Sequence, residues 1–223
     1  MPIMKLYGAI ASPYVARVVM FARIKGVDLL LAEAPGGNIK SPEYLKLNPM
    51  GKMPTLDVDG KGIGESSIIC DFLEDAAGGQ PGLPADAFER ARSRLVARIV
   101  DLYLMPHVSP LFRQMNPEKR DAASVDAAAK EIAKAYGYAE QVMGPGPFCV
   151  GSTPTLGDCA LSTSTQMLKT ILAAGFPEIP DPVAGGRLAT WWQAVQAHAA
   201  CGPVIEDHGK AFGGFIKMMA ARR

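Results

Sequence analysis

The sequence predicts an α/β unit followed by an all-α unit. Three observations carry this. Short runs of β-forming apolar residues alternate with helical spacing through the first 78 residues. A Gly- and Pro-rich stretch, GGQPGLP at 78–84, interrupts that pattern. Beyond it strand signals nearly vanish, and apolar residues recur only at helical spacing. Alternation followed by helices alone implies two packed units of different class. The boundaries follow: 1–78 for the first unit, 79–86 for the linker and 87–223 for the helical unit.

The elements can be justified in order. Met4–Tyr7 is a short apolar, β-friendly run. Ser12 before Pro13 is a helix-start signal, because proline at the first helical position loses no needed N–H. Val15, Val18, Val19 and Ala22 supply the helical spacing, and Gly26 ends it. Residues 27–32 read as a second strand, so the opening is β-α-β with a parallel pair and a right-handed crossover. Ser41 and Pro42 start a short helix, and residues 48–54 are turn chemistry. Thr55–Val58 and Lys61–Gly64 are short strands around an Asp59-Gly60 hairpin turn. Ser66–Ala76 returns to helical spacing, which completes βαβαββα. In the helical unit, residues 87–115 form a helix that Pro106 and Pro110 should kink or interrupt. Further helices are expected at 118–143, 155–174 and 188–199, then a short one near 203–208 and a last one at 212–221.

Composition excludes several classes. The formal net charge of +1 lacks the basic excess of a nucleic-acid binder, and it gives no reason to expect an anionic membrane surface as partner. No apolar run approaches the roughly 18 residues of a bilayer span. No secretory leader is visible, so the cytoplasm is the expected compartment. Cys70, Cys149, Cys159 and Cys201 show no C-x-x-C spacing, and with three scattered histidines they form no metal signature. Buried, reduced thiols are expected.

Four local features bear on chemistry. In YGAIASPYVAR, Ser12 stands at a helix N-terminus just after a strand. Its hydroxyl either caps the helix or donates to a substrate anion that the helix end favours. Tyr7 is the rival donor, although its place before the turn suits a strand side chain. In Met53-Pro54-Thr55, a cis bond would leave the Met53 backbone free to pair with an extended peptide, but spacing alone favours trans. In Glu65-Ser66-Ser67, a serine at a helix start is either a cap or a carboxylate site, and Glu65 would then meet an ammonium group. Thr155-Leu156-Gly157-Asp158 is a T-x-x-D capping box and is read as structural.

Together these segments resemble the cytosolic glutathione transferases over nearly the whole chain. MKLYGAIASPYVARVV is similar to that family's first strand and helix in its serine-type classes, nearest the phi-like and related bacterial forms. KSPEYLKLNPMGKMPTL resembles the approach to the family's cis-proline, ESSIICDFLE its γ-glutamyl motif, and FCVGSTPTLGDCAL its helical capping-box segment. The resemblance implies a thioredoxin-like N-terminal domain, an all-helical C-terminal domain and a homodimer. It implies glutathione as co-substrate, with the Ser12 hydroxyl hydrogen-bonded to the sulfur. Lys40 and Lys52 then lie near the glycyl carboxylate, Met53 and cis Pro54 beside the cysteinyl part, and Glu65 and Ser66 at the γ-glutamyl end. Ile39 stands where phi-type sequences often carry histidine, which removes one polar contact.

The implied chemistry is thiol activation. A free thiol has a pKa near about 8.5. Lowering it by about two units needs roughly 2.7 kcal/mol of preference for the anion. A hydroxyl hydrogen bond plus a helix N-terminus is about that size. The thiolate would attack an apolar electrophile in a second pocket. Candidate walls are Ile10, Tyr14, Tyr103, His107, Leu111, Phe112 and Met115, whose other reading is core packing. Alternatives on the same site are a glutathione-dependent isomerase, dehalogenase or peroxidase. A non-catalytic ligand-binding relative is the alternative of a different class.

Overall fold

The computed structural model describes residues 4–221. Four strands form one mixed sheet in the order β2-β1-β3-β4: β1 Met4–Tyr7, β2 Leu30–Ala32, β3 Thr55–Val58 and β4 Lys61–Gly64. β1 runs parallel to β2 and antiparallel to β3, with Leu6 opposite Leu31 and Leu56. β3 and β4 form the hairpin. Helices α1 (Pro13–Lys25), α2 (Pro42–Leu47) and α3 (Ser66–Ala76) complete a thioredoxin-like domain. An all-helical domain follows: α4 Ala87–Ile99, α5 Met105–Arg113, α6 Ala122–Val142, α7 Leu156–Gly175, α8 Gly186–Ala197 and α9 Gly202–Ala221.

Three expectations need correction. The second strand begins at Leu30, not at residue 27. Gly26 takes a left-handed conformation, its N–H bonds the Arg23 carbonyl, and the Val27 N–H bonds back to Ala22. This helix-ending motif uses the backbone of Val27, so no ladder can start there. The helix expected from residue 118 begins at Ala122 instead, because Asp121 accepts from the Ala123 and Ser124 N–H groups as its N-cap. The two final helices are one, α9, which runs through Gly209, Gly213 and Gly214. A Cβ on Gly209 would lie 2.6 Å from Nε2 of Gln166, the mobile end of a side chain on α7, against which α9 packs.

Of the two prolines expected to interrupt the helix at 87–115, only Pro106 coincides with an interruption. Residues 100–104 form a π-helical turn between α4 and α5, where the Met105 N–H reaches back to Val100. Pro106 follows within the first turn of α5, and α5 carries Pro110 inside it. The stretch 87–113 is long and apolar enough to cross a bilayer by composition alone. Here its inner side (Val96, Val100, Leu104 and Val108) belongs to the core, against α6 and α7.

α7 is the central helix. Its residues 156–165 are all buried, and small hydroxyl side chains let α1 and α4 approach it. Thr163 and Thr165 donate to carbonyls four residues back, which satisfies hydroxyls in an apolar setting. The two domains are also tied by charge. Arg17 on α1 is 1% exposed and donates to both oxygens of Asp101, at 2.7 and 3.2 Å. The connecting segment is held by Glu74, which accepts from Lys25 and from the Gly82 N–H, both at 2.9 Å.

All four cysteines are buried and unpaired with one another. Burial pushes their thiols up, Cys201 to about 12. None is poised as a nucleophile.

Candidate active site

The site is built where helix N-termini meet the sheet edge. Ser12 is the N-cap of α1, with extended backbone (φ −81°, ψ 128°). Its side chain makes no cap hydrogen bond. Ser41, with nearly the same local sequence, accepts from the Tyr44 N–H at 3.1 Å. The simple capping role therefore belongs to Ser41 and not to Ser12. Tyr7 is buried in β1 and donates to Asp57 Oδ2 at 3.2 Å. Burial and the neighbouring Asp57 carboxylate raise its phenol pKa, which keeps it neutral. Its hydroxyl is thus engaged on the sheet.

The turn 48–54 is fixed by a closed polar network. The Lys52 carbonyl accepts from the Tyr44 hydroxyl at 2.6 Å and from Asn48 Nδ2 at 3.0 Å. Asn48 Nδ2 also donates to Thr55 Oγ1 at 2.9 Å, and Thr55 Oγ1 lies 2.7 Å from the Tyr44 oxygen. Tyr44 spends its single proton on Lys52, so Thr55 donates to Tyr44, and every buried donor has a partner. The network delivers Met53 and Pro54 to the site with a cis bond between them. Among the described residues, no hydrogen bond engages the Met53 N–H or C=O.

At the start of α3, Glu65 has φ +63° and makes no cap hydrogen bond. A non-glycine residue there is uncommon, and such strain is typically retained at functional positions. Ser66 Oγ accepts from Arg17 Nη1 at 3.1 Å. Ser67 Oγ accepts from the same atom at 2.9 Å and donates to Asp101 at 3.2 Å. Arg17 of α1 and Asp101 of the helical domain thus brace the N-terminus of α3.

Lys52, Met53, Pro54, Glu65 and Ser66 line one cleft of about 360 Å3, together with Tyr14, Arg98 and Asp101. Lys40 approaches this end of the molecule, its Nζ standing over Gly51. The Arg17 guanidinium lies over the Tyr14 ring, 5.3 Å from its centre. Burial first, then the Asp101 charge, raises the Tyr14 pKa and keeps that hydroxyl protonated. The cleft thus offers two basic groups (Lys52 and Arg98), two carboxylates (Glu65 and Asp101) and the unpaired Met53 backbone. That pattern suits a short zwitterionic peptide.

The proposed second-pocket residues scatter more widely. Tyr14 faces the cleft. Ile10 sits on the loop before α1, and Phe112 packs at a tilt on Phe212 and stacks on Phe215 of α9. Met115 reaches the end of α7 beside Gly175, and His107 is half-buried on the side of Glu131 of α6. Leu111 is wholly buried. Tyr103 is half-exposed and packs edge-on against Tyr138 of α6. Sequence reasoning missed Arg17, Ser67, Arg98 and Asp101. The one local signal was an arginine within the apolar face of α1. Its partner lies 84 residues away.

Residues 6–81 match the model of the glutathione S-transferase N-terminal domain, and residues 122–194 match that of the C-terminal domain. A probable glutathione S-transferase BZ2 of Zea mays is 30% identical across 99% of this chain and 98% of its own. The chain belongs to the glutathione S-transferase family. A maleylacetoacetate isomerase of Dictyostelium discoideum is 33% identical over a shorter span, 56% of this chain and 59% of its own. The structure of a tau-class glutathione S-transferase from mango, Mangifera indica, superposes with a TM-score of 0.80 at 26% identity. It covers 96% of this chain and 97% of the mango chain. Delta- and tau-class transferases are both among the similar structures, so the match fixes the family and leaves the class open.

Proposed function

We propose that this glutathione S-transferase relative binds glutathione in the cleft and activates its thiol at Ser12 for attack on small apolar electrophiles. The observation that carries this reading is the Ser12 hydroxyl. It stands at the N-terminus of α1 and its own helix does not use it. Helix N–H groups and a hydroxyl donor there favour a thiolate over a thiol.

The remaining roles follow from charge and position. The N-terminus of α3, with Ser66, takes the γ-glutamyl carboxylate, and Glu65 takes the ammonium. Met53 pairs its backbone with the cysteinyl unit beside Pro54. Lys40 and Lys52 attract the glycyl carboxylate. The electrophile lies against Tyr14, with Ile10 and Phe112 towards α9. Holding both partners side by side supplies the orientation term of the reaction. In this reading residues 1–78 form the glutathione-binding domain, 79–86 the linker and 87–223 the domain that completes the electrophile pocket. Exposed Ile68 on α3, and Leu95 and Leu102 along the α4 stretch, support a homodimer. The cytoplasm is the proposed compartment, and detoxification the proposed context.

Retention on immobilised glutathione, followed by a panel of aryl halides, unsaturated carbonyls, peroxides and cis–trans isomerisation substrates, tests the reading. Conjugation lost in Ser12→Ala supports it. Retention without turnover on any electrophile would leave a binding protein.

A further inference from the structure

His208 lies on α9, in the far part of the helical domain, and is fully buried. Its Nδ1 is 2.8 Å from the Ile10 carbonyl, across 198 residues of sequence. A carbonyl can only accept, so the proton of this bond resides on Nδ1. Burial lowers the His208 pKa against the raising effect of the Ile10 and Thr163 carbonyls, so a neutral ring makes the bond. The ring also stacks on Phe212, its centre 6.1 Å away, and Phe212 in turn meets Phe112. The ring is therefore held at Nδ1 and on its face, while Nε2 is buried with no hydrogen-bond partner among the described residues.

The bonded carbonyl belongs to a short loop with few other anchors. Gly8 N–H bonds the Ala32 carbonyl at one end. At the other, Ser12 N–H bonds Ala9 and the Ser12 carbonyl accepts from Ala16. Ile10 sits between these ties, two residues before Ser12. Its carbonyl is the point at which the helical domain grips the loop.

We propose that His208 is a positioning residue: its Nδ1–H clamps the Ile10 carbonyl and so sets the Ser12 hydroxyl relative to the bound sulfur. This rests on the Ser12 reading given above. An unclamped loop displaces a hydroxyl whose benefit depends on sub-ångström placement. Glutathione contacts elsewhere in the cleft stay intact, so binding is spared while thiol ionisation suffers.

The test uses the full chain, glutathione and a model aryl halide. His208→Phe keeps the ring stack and removes the donor. His208→Asn restores a donor near the Nδ1 position, and His208→Gln places one near Nε2 instead. The expected result is a fall in kcat of about tenfold for His208→Phe, with the acidic limb of the kcat/KM profile moved up by about one pH unit. The KM for glutathione stays within about twofold, and His208→Asn recovers most of the activity while His208→Gln does not. In a Ser12→Ala background, His208→Phe then adds no further loss. An unmoved pH profile, equal losses in the Asn and Gln variants, or full additivity with Ser12→Ala would each overturn the clamp. Should His208→Phe fail to fold, the Asn and Gln pair decides on its own. Failure of the underlying reading looks different: Ser12→Ala alone would then leave turnover and thiol ionisation unchanged.

Discussion

The start of α7 and the starts of α1 and α3 use the same residue types in opposite ways. At α7 every polar group is closed on another. Asp158 Oδ2 accepts from the Thr155 N–H at 2.8 Å and from its hydroxyl at 2.9 Å. Oδ1 accepts from the Cys149 N–H at 2.8 Å and from Trp191 Nε1 at 2.9 Å. Ser93 bonds Thr155 and accepts from the Gly157 N–H. At α1 and α3, by contrast, Ser12 and Glu65 make no cap bond at all. A helix N-terminus that satisfies itself is a structural device, whereas the open starts of α1 and α3 keep N–H groups for the ligand proposed above. In the first case a carboxylate three residues on and full burial close the site. In the second, neither first turn carries an acidic residue and neither cap side chain bonds its helix.

Breaking the closed end should have the largest effect on stability. Asp158→Ala strands four buried donors, so a loss of about 3–5 kcal/mol in unfolding free energy is expected by denaturant titration. A loss below about 1 kcal/mol would mean that the network is not what fastens α7. Arg17→Met comes next. It leaves the Asp101 carboxylate without its cation and takes a donor from Ser66 and Ser67, so about 3 kcal/mol of stability should go. Glutathione binding, measured by calorimetry, should weaken several-fold alongside. Tight binding in that variant would show that the brace between α3 and the helical domain is idle.

Smaller changes sharpen the contrast. Ser41→Ala removes a working cap and should cost about 1 kcal/mol in the same titration. Glu74 tests the linker clasp through pH. Burial alone would raise its carboxyl, but Lys25 and the Gly82 and Leu83 N–H groups hold it below the usual 4.5. A depressed carboxyl contributes stability that is present above its unfolded pKa and fades as pH falls through the folded one. The advantage of wild type over Glu74→Gln, under about 1 kcal/mol at neutral pH, should therefore vanish in acid. Melting temperatures of the two proteins across pH 3–7 check this.

The comparison also explains what the sequence could and could not tell. The order βαβαββα and the break after it were legible because strand and helix periods, turn residues and Ser-Pro starts are local signals. The capping box was legible for the same reason, since Thr155 and Asp158 are three residues apart. Val27 was misread because the helix-ending motif at Gly26 and the strand it delays share the same apolar residues. α9 was split in reading because Gly209 looks like a breaker until Gln166 of α7 is seen packed against it. The braces of the site were invisible: Arg17 needs Asp101, and Ile10 needs His208, each pair joined only by the tertiary fold. Tyr103 stands outside while Leu104, Val108 and Leu111, at ordinary helical spacing, face the core.

One substitution bears most directly on the open end. Ser12→Ala should leave the unfolding free energy within about 0.5 kcal/mol of wild type, since no cap bond is lost. The same variant should lower kcat/KM for glutathione conjugation to an aryl halide by at least about tenfold, or roughly 1.4 kcal/mol of transition-state stabilisation. The opposite pattern, about 1 kcal/mol of stability lost with turnover intact, would make Ser12 an ordinary cap and contradict the account.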